Sequence, residues 1–471
     1  MSGAKLPDRC DVAVIGAGPA GLAAAATAAR GGVSVLLLDE NAAPGGQVYR
    51  AVASSPFGTG SILGADYWAG GRLVEEMRAS GAIYVPRATV WLVTPDRQIG
   101  ISLGGASRQF TARRIVLATG AQERPFPIPG WTLPGVMTVG AAQILLKSSG
   151  LVPDGRTVLA GCGPLLWLLA WQYLQAGAKI EAILDTTPGA NWRRALPHTP
   201  AFMASPYFAK GVKLMRAVRA RVRVVSGVTS LRAEGDAHVS AVHVTTRGGE
   251  ERLAVDQLLL HQGVTPNVNL ASAIGVPHRW DDDQLCFVPE LDADGTTPIS
   301  GIAIAGDGAG IGGAEAAAAR GRIAALAALR ELAPSSAAAA ALKKAHADLR
   351  RQMRGRTFLD RLYRPAPQFR IPAAETIVCR CEEVTAGQIT ETVALGVTGP
   401  NQLKSFLRCG MGPCQGRQCG LTITELIAGA RGATPAEVGY YRLRPPVKPI
   451  TLGELAAWPK DEAAVNAVAR G

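Results

Sequence analysis

Aromatic side chains make up only 5% of this 471-residue chain, while glycine and alanine are abundant. That balance argues against an all-β sandwich and suits α/β layers with close helix-strand packing. Long apolar runs are missing too. The longest aromatic-apolar run, Leu165 to Leu174, is too short to span a bilayer. Met1-Ser2-Gly3-Ala4-Lys5 leads almost directly into a strand without the apolar core of a secretory signal. The expectation is a cytoplasmic protein with no transmembrane segment.

A basic cluster is also lacking, although the formal charge is +12. Arg113, Arg114, Arg216, Arg219, Arg221, Arg223, Arg350 and Arg351 are scattered, and no basic stretch is interleaved with aromatics. This weighs against nucleic-acid binding and points to an acidic partner subunit or an anionic cofactor. Cysteine is sparse before position 379, where only Cys10, Cys162 and Cys286 occur; the other five lie between Cys379 and Cys419. In a reducing compartment such a group argues for metal binding over disulfides. The six histidines (His198, His238, His243, His261, His278, His346) lie apart in sequence. Each reads as a surface or packed residue, so no general acid or base stands out.

At roughly 150 residues per domain, the length predicts about three units. Asp11 to Ile15 reads as a strand, followed by Gly16-Ala17-Gly18-Pro19-Ala20-Gly21, a helix to Ala29, and a second strand, Val35 to Leu38, ending at Asp39. A similar unit starts at Thr157-Val158-Leu159-Ala160, turns through Gly161-Cys162-Gly163-Pro164, and ends its second strand at Asp185. These are two Rossmann-like units in tandem. In the first, the glycines permit a tight turn and close approach of a pyrophosphate to the helix N-terminus. Asp39 can accept hydrogen bonds from a ribose hydroxyl, with a solvated strand-end role as the alternative and Glu40 in reserve. In the second, Leu166 stands at the third glycine position and should push the helix away from the strand. A degenerate scaffold is the preferred reading, and a nicotinamide site with altered packing is the alternative. Cys162 reads as a small buried residue.

Three further segments accompany the first fingerprint: Pro44-Gly45-Gly46-Gln47, Ala118-Thr119-Gly120 and Gly306-Asp307. With them the chain resembles the glutathione-reductase-like flavoprotein superfamily. That resemblance implies FAD, bound by Gly16, Gly18, Pro19, Ala20, Gly21, Asp39, Glu40, Gly46, Gln47, Ala118, Thr119, Gly120, Gly306 and Asp307, with Asp307 on the ribityl or pyrophosphate part. No cysteine follows Gly46 until Cys162, so disulfide reductase activity is not expected.

Near the C-terminus, Cys379-Arg380-Cys381 is followed by Cys414 and Cys419. Four thiolates suit a [2Fe-2S] cluster, and the single-residue gap of the first pair disfavours zinc. The arrangement looks like the bacterioferritin-associated-ferredoxin type of [2Fe-2S] domain, with a capping box at Thr385-x-x-Gln388 and a second helix opening at Thr398-Gly399-Pro400. The second pair is spaced more widely than in the small ferredoxin, which leaves Cys409 as a rival ligand.

The fold class expected is α/β: two Rossmann-like, glutathione-reductase-type domains plus a small helical [2Fe-2S] domain. Its divisions are 1–150 and 281–333 for FAD, 151–280 for the second unit, 334–370 for a helical connector, 371–435 for the cluster, and an extended tail, 436–471. The combination resembles the α (A) subunits of opine oxidases, D-hydroxyproline dehydrogenases and hydrogen cyanide synthase. The segments carrying that resemblance are Pro44 to Arg50, Gly130 to Val136, Gly306 to Gly313 and Cys409 to Cys419. It implies a hetero-oligomer in which an FAD-containing β subunit oxidises an amine or imino acid of the opine, hydroxyproline or proline type. It further implies electron transfer through this chain, FMN at a subunit interface in some relatives, and a small third subunit. Peripheral association with the inner membrane would then come through the electron acceptor. A self-sufficient NAD(P)H-dependent reductase is the alternative.

Overall fold

The computed structural model describes residues 6–58, 60 and 62–458. Six segments build the body of the first sheet: β1 (Arg9–Ile15), β2 (Val35–Asp39), β3 (Ile83–Pro86), β4 (Thr89–Val93), β5 (Gln98–Leu103) and β6 (Ala106–Leu117). Their order is β3-β2-β1-β6-β5-β4. β2, β1 and β6 run parallel, and all five residues of β2 are buried, as expected for strands covered on both faces. The helix Pro19–Arg30 begins with proline at its first position and is mostly alanine. Small side chains let it lie close to the helix Ala314–Leu332: a Cβ on Gly321 would fall 2.0 Å from the Ala20 carbonyl oxygen.

β7 (Ala121–Glu123) leads out of this sheet toward β8 (Val136–Thr138), β9 (Thr157–Cys162), β10 (Ala182–Asp185) and β11 (Arg223–Ser226). An antiparallel ribbon follows, made of β12 (Ser230–Gly235), β13 (Val239–Thr246) and β14 (Gly249–Ala254), and then β15 (Gln257–Gln262). The second sheet has the order β11-β10-β9-β15-β8 and is parallel throughout. β16 (Val264–Pro266) returns beside β7, antiparallel to it. The chain thus enters the second unit near residue 121, not 151, because β8 and the helix Val139–Ser149 belong with the second sheet. It leaves near residue 266, and Leu270, Ala271 and Ile274 pack in the first unit's core. Two crossover strands of three residues each carry too little periodicity to mark these crossings in the sequence.

After the hairpin of β17 (His278–Asp281) and β18 (Cys286–Pro289), β19 (Ile302–Ile304) joins the first sheet alongside β6. The helices Ser336–Met353 and Arg356–Leu362 form the connector. The cysteine module has a short ribbon, β20 (Ile377–Cys379) and β21 (Val384–Thr385), and helices Ala386–Ala394, Pro400–Leu407 and Gly420–Arg431. Thr385 and Gln388 form the expected capping box, and Gly399 is the cap residue before Pro400. Val378, Ile389, Leu403, Ile423, Ile427 and Tyr441 share the module's core.

The module is seated on both dinucleotide units. Trp131 Nε1 donates to the Ile377 carbonyl (2.7 Å), Gln122 Nε2 to that of Arg417 (2.9 Å) and Asn269 Nδ2 to that of Gln415 (2.9 Å). Arg370 and Glu425 form a buried ion pair. The following segment returns to the first unit, where Val447 N donates to the Trp91 carbonyl (3.0 Å) and Lys448 pairs with Glu40 (2.7 Å). Of the expected tail, 459–471 lie outside the described residues.

Candidate functional site

The C-terminal ends of four parallel strands form a row across the first sheet. Asp39 closes β2, Gly16 follows β1, Ala118 follows β6, and Gly306 lies just beyond β19. This places the sequence-predicted residues along one edge. Asp39 is 5% exposed. Its Oδ2 accepts from Ala17 N (2.6 Å) and its Oδ1 from Asn41 N and Nδ2 (2.7 Å each), which fixes the carboxylate against the glycine turn. Glu40 points instead to Lys448.

Two glycines are required by close approach. A Cβ on Gly21 would sit 1.7 Å from the Gly16 carbonyl oxygen, and one on Gly46, whose φ is +61°, would sit 2.7 Å from the Cα of Gly18. Backbone thereby meets backbone, leaving room for a pyrophosphate before the helix that starts at Pro19 and Ala20. Ala118 N donates to the Ile15 carbonyl (2.8 Å), and Thr119 Oγ1 to that of Asn267 (3.2 Å). Asn267 N returns a bond to the Gly120 carbonyl (3.0 Å). Asp307 Oδ1 accepts from Gly312 N (2.9 Å) and Gly313 N (3.1 Å), while its Oδ2 has no hydrogen bond among the described residues. Gln47 Oε1 accepts from Arg50 Nη2 (3.0 Å). Gly16, Gly18, Asp39, Gly46, Gln47, Ala118, Thr119, Gly120, Gly306 and Asp307 border one cavity of about 1820 Å³, whereas Gly21 does not line it. The residues fit FAD: small backbone approaches for the phosphates, a fixed acid at one end, and an acid with a free oxygen at the other.

Five thiols gather in the module. Cys379 has Cys409 and Cys419 as neighbours, and Cys414 has Cys381 and Cys419. Hydrogen bonds from Cys409 and Cys419, with the backbone amides of Glu382 and Gly410, pull the Cys379 thiol down. Cys419 and the amides of Gln418 and Gly416 do the same for Cys414. Among the described residues, no group of three or more His, Cys, Asp or Glu side chains converges closely enough to hold one metal ion. Cys379, Cys409 and Cys419 are buried, Cys381 is exposed, and Cys414 borders the same large cavity as the glycine turn, together with Arg380 and Arg417. Five cysteines gathered in one small module, with backbone donors on Cys379 and Cys414, fit a [2Fe-2S] cluster.

In the second unit, Leu166 is fully buried and packs in the core with Leu159 and Leu169. Cys162 is also buried, which pushes its thiol up to about 12, and it donates to Gln262 Oε1 (3.1 Å) and to the Tyr363 carbonyl (3.4 Å). The connector is therefore tied to this glycine turn. Asn191 strengthens the tie, its Nδ2 donating to the carbonyls of Leu362 (2.9 Å) and Arg364 (2.8 Å). Burial and the nearby Asp185 raise the Tyr363 phenol.

Residues 10–323 match the pyridine nucleotide-disulphide oxidoreductase family, and residues 377–429 match the BFD-like [2Fe-2S] binding domain. The opine oxidase A subunit of Agrobacterium tumefaciens (strain Ach5) is 49% identical over 475 residues, covering 98% of this chain and 94% of that one. The chain belongs to the opine oxidase A-subunit family. A more distant member, hydrogen cyanide synthase subunit HcnB of Pseudomonas aeruginosa, is 34% identical over 461 residues, covering 93% and 96% of the two chains. In fold, the L-proline dehydrogenase from P. horikoshii superposes with a TM-score of 0.71 at 19% identity, covering 95% and 79%. Family membership makes this an oxidoreductase-family chain with a flavoprotein fold, and the two domain matches support FAD and a [2Fe-2S] cluster as its cofactors. The described residues contain no helix long and apolar enough to cross a membrane.

The cavity wall also holds residues that sequence reading passed over. His261 Nδ1 lies 2.6 Å from Glu123 Oε1, and Glu123 Oε2 accepts from Gly140 N (3.0 Å). Their separation of 138 residues hides the pair, because only the crossing of β7 beside β16 brings them together. Lys147, buried among neutral oxygens, likewise left no local signal.

Proposed function

We propose that this chain is the electron-relay subunit of a heteromeric amine or imino-acid dehydrogenase or oxidase, acting with a partner FAD-containing β subunit that oxidises an opine, hydroxyproline or proline type of substrate. FAD is bound by the residues of the row from Asp39 to Asp307, and the cluster by Cys379, Cys381, Cys414 and Cys419. The reading is supported above all by the single cavity that both the dinucleotide cradle and Cys414 border. A flavin takes up two electrons together and a [2Fe-2S] cluster carries one, so cofactors held on that shared space can turn paired electrons into single ones for a quinone or other respiratory acceptor. An FMN at the subunit interface, a small third subunit and peripheral contact with the inner membrane belong to the same proposal.

One observation favours the alternative reductase: the Glu123–His261 pair lies on the cavity wall near the second unit's turn, where a Cβ on Gly163 would approach His261 Nε2 to 3.3 Å. Against it stand Leu166 in the fingerprint and the connector tied to Cys162 and Asn191. Anaerobic additions of opines, imino acids and NAD(P)H, with and without the partner chain, distinguish the two. Bleaching by an amine only when the partner is present supports the relay. Bleaching of the isolated chain by NAD(P)H overturns it.

A further inference from the structure

Lys147 is 3% exposed and lies on the wall of the cavity that carries the dinucleotide cradle. Its Nζ donates to the carbonyls of Val48 (2.9 Å) and Gln47 (3.3 Å) and to Gln143 Oε1 (2.7 Å). Every one of these acceptors is neutral, and no carboxylate lies within ion-pairing distance among the described residues. Gln143 in turn donates to Gln172 Oε1 (2.8 Å), and Gln172 to the Leu63 carbonyl (3.1 Å), so the nearby polar atoms are committed to one another. The other charged or titratable groups facing the ammonium are Arg50 on the Pro44–Arg50 loop and Tyr67, whose ring centroid is 5.8 Å from Nζ. Burial, with Arg50 second, lowers the Lys147 ammonium to about 7.

A cation taken out of water without a counter-ion is costly, and a tie between two units could be made as well by an uncharged donor. The position suggests what the charge is for. The row of strand ends runs from Asp39, through the glycine turn, to Ala118 and Asp307. A dinucleotide whose ribose was held at Asp39 and whose pyrophosphate was held at the turn would have the rest of the cavity to occupy beyond them. Lys147 borders that cavity through the Gln47-Val48 backbone, next to the cradle residue Gly46.

We infer that Lys147 supplies the positive charge that stabilises the electron-rich, reduced state of the bound flavin and so sets how readily the flavin accepts electrons. The inference rests on the reading that the first unit binds FAD. Lys147 acts through its charge on the cofactor, and its hydrogen bonds to Gln47 and Val48 hold that charge in place.

The test compares the full chain with Lys147→Gln and Lys147→Arg at pH 6.5, with FAD content and thermal unfolding measured first. The flavin midpoint potential and the affinity for sulfite, which adds to electron-poor flavins, are then read at saturating added FAD, so weakened cofactor binding does not mask the result. Lys147→Gln is expected to lower the reduction equilibrium at least tenfold, about 30 mV for a two-electron couple, and to weaken sulfite binding to a similar degree. Lys147→Arg should stay within threefold of the parent chain. Unchanged potential and sulfite affinity in FAD-loaded Lys147→Gln would overturn the inference and leave Lys147 an interdomain tie. An equal shift in Lys147→Arg would overturn it as well. A parent chain that binds no FAD would instead overturn the proposed function on which the inference rests.

Discussion

Asp39 Oδ2 accepts the amide hydrogen of Ala17 at 2.6 Å, joining the end of β2 to the glycine turn after β1. The acid proposed to hold the ribose therefore also shapes the turn that holds the pyrophosphate. Asp39→Ala leaves the Ala17 and Asn41 amides without their acceptor in a buried setting. Unmade buried hydrogen bonds cost about 1–3 kcal/mol each. We expect a lower unfolding midpoint together with loss of most bound flavin, read by denaturation and by absorbance of the released cofactor. Full flavin retention would remove Asp39 from the binding site.

The thiol contacts make a separate prediction. The proposed ligand set, Cys379, Cys381, Cys414 and Cys419, leaves out Cys409, although Cys409 is a neighbour of Cys379. Cys409→Ala should keep two irons per chain and the cluster's visible absorbance. Cys414→Ala or Cys419→Ala should lose iron. Iron loss in Cys409→Ala with retention in either of the others would exchange the assignments.

Much of the site was legible because its chemistry is local. The glycine turn, Asp39, Gly46 and the Cys379-x-Cys381 pair each sit in short segments whose spacing carries the geometry, and the fold class followed from two repeats of strand, glycine turn and helix. The unit boundary near residue 121 was not legible, since β7 and β16 are three residues each and gain meaning only when paired. Glu123 and His261 meet through that same pairing. Lys147 makes no charged contact within its own helix, only the bond to Gln143, so nothing in the sequence marks it. Local spacing marks the glycine turn and the cysteine group, while the cavity wall is assembled by tertiary packing.

Stability should depend on pH through Lys147. Burial, with Arg50, holds its folded-state pKa near 7, against an ordinary value of 10.5. Between these two values the unfolded chain binds the proton more strongly. Stability of the FAD-free chain therefore rises as pH increases from 7 toward 10.5, by at most about 1.4 kcal/mol per pH unit, and this rise is absent below 7. Urea unfolding of the parent chain and Lys147→Met at pH 6 to 9 reads the effect. The parent should gain on the variant above pH 7, and parallel curves would contradict the assignment.

The connector's tie to the second unit predicts that NADH and NADPH do not bind there. Isothermal titration of the isolated chain should show no saturable heat with either nucleotide. Asn191→Ala, which frees the Leu362 and Arg364 carbonyls, should loosen the connector and increase its proteolytic cleavage between residues 354 and 370. Stoichiometric nucleotide binding by the parent chain would mean that the connector leaves the turn open.

The most direct test of the relay follows the cluster itself. The complex with its partner chain is mixed anaerobically with an opine or imino-acid substrate, frozen, and measured by electron paramagnetic resonance. The account predicts a reduced [2Fe-2S] signal that needs both substrate and partner and disappears when Cys419 is replaced by alanine. Substrate oxidation at full rate with that cluster absent, or a signal raised by substrate in the isolated chain, would contradict it.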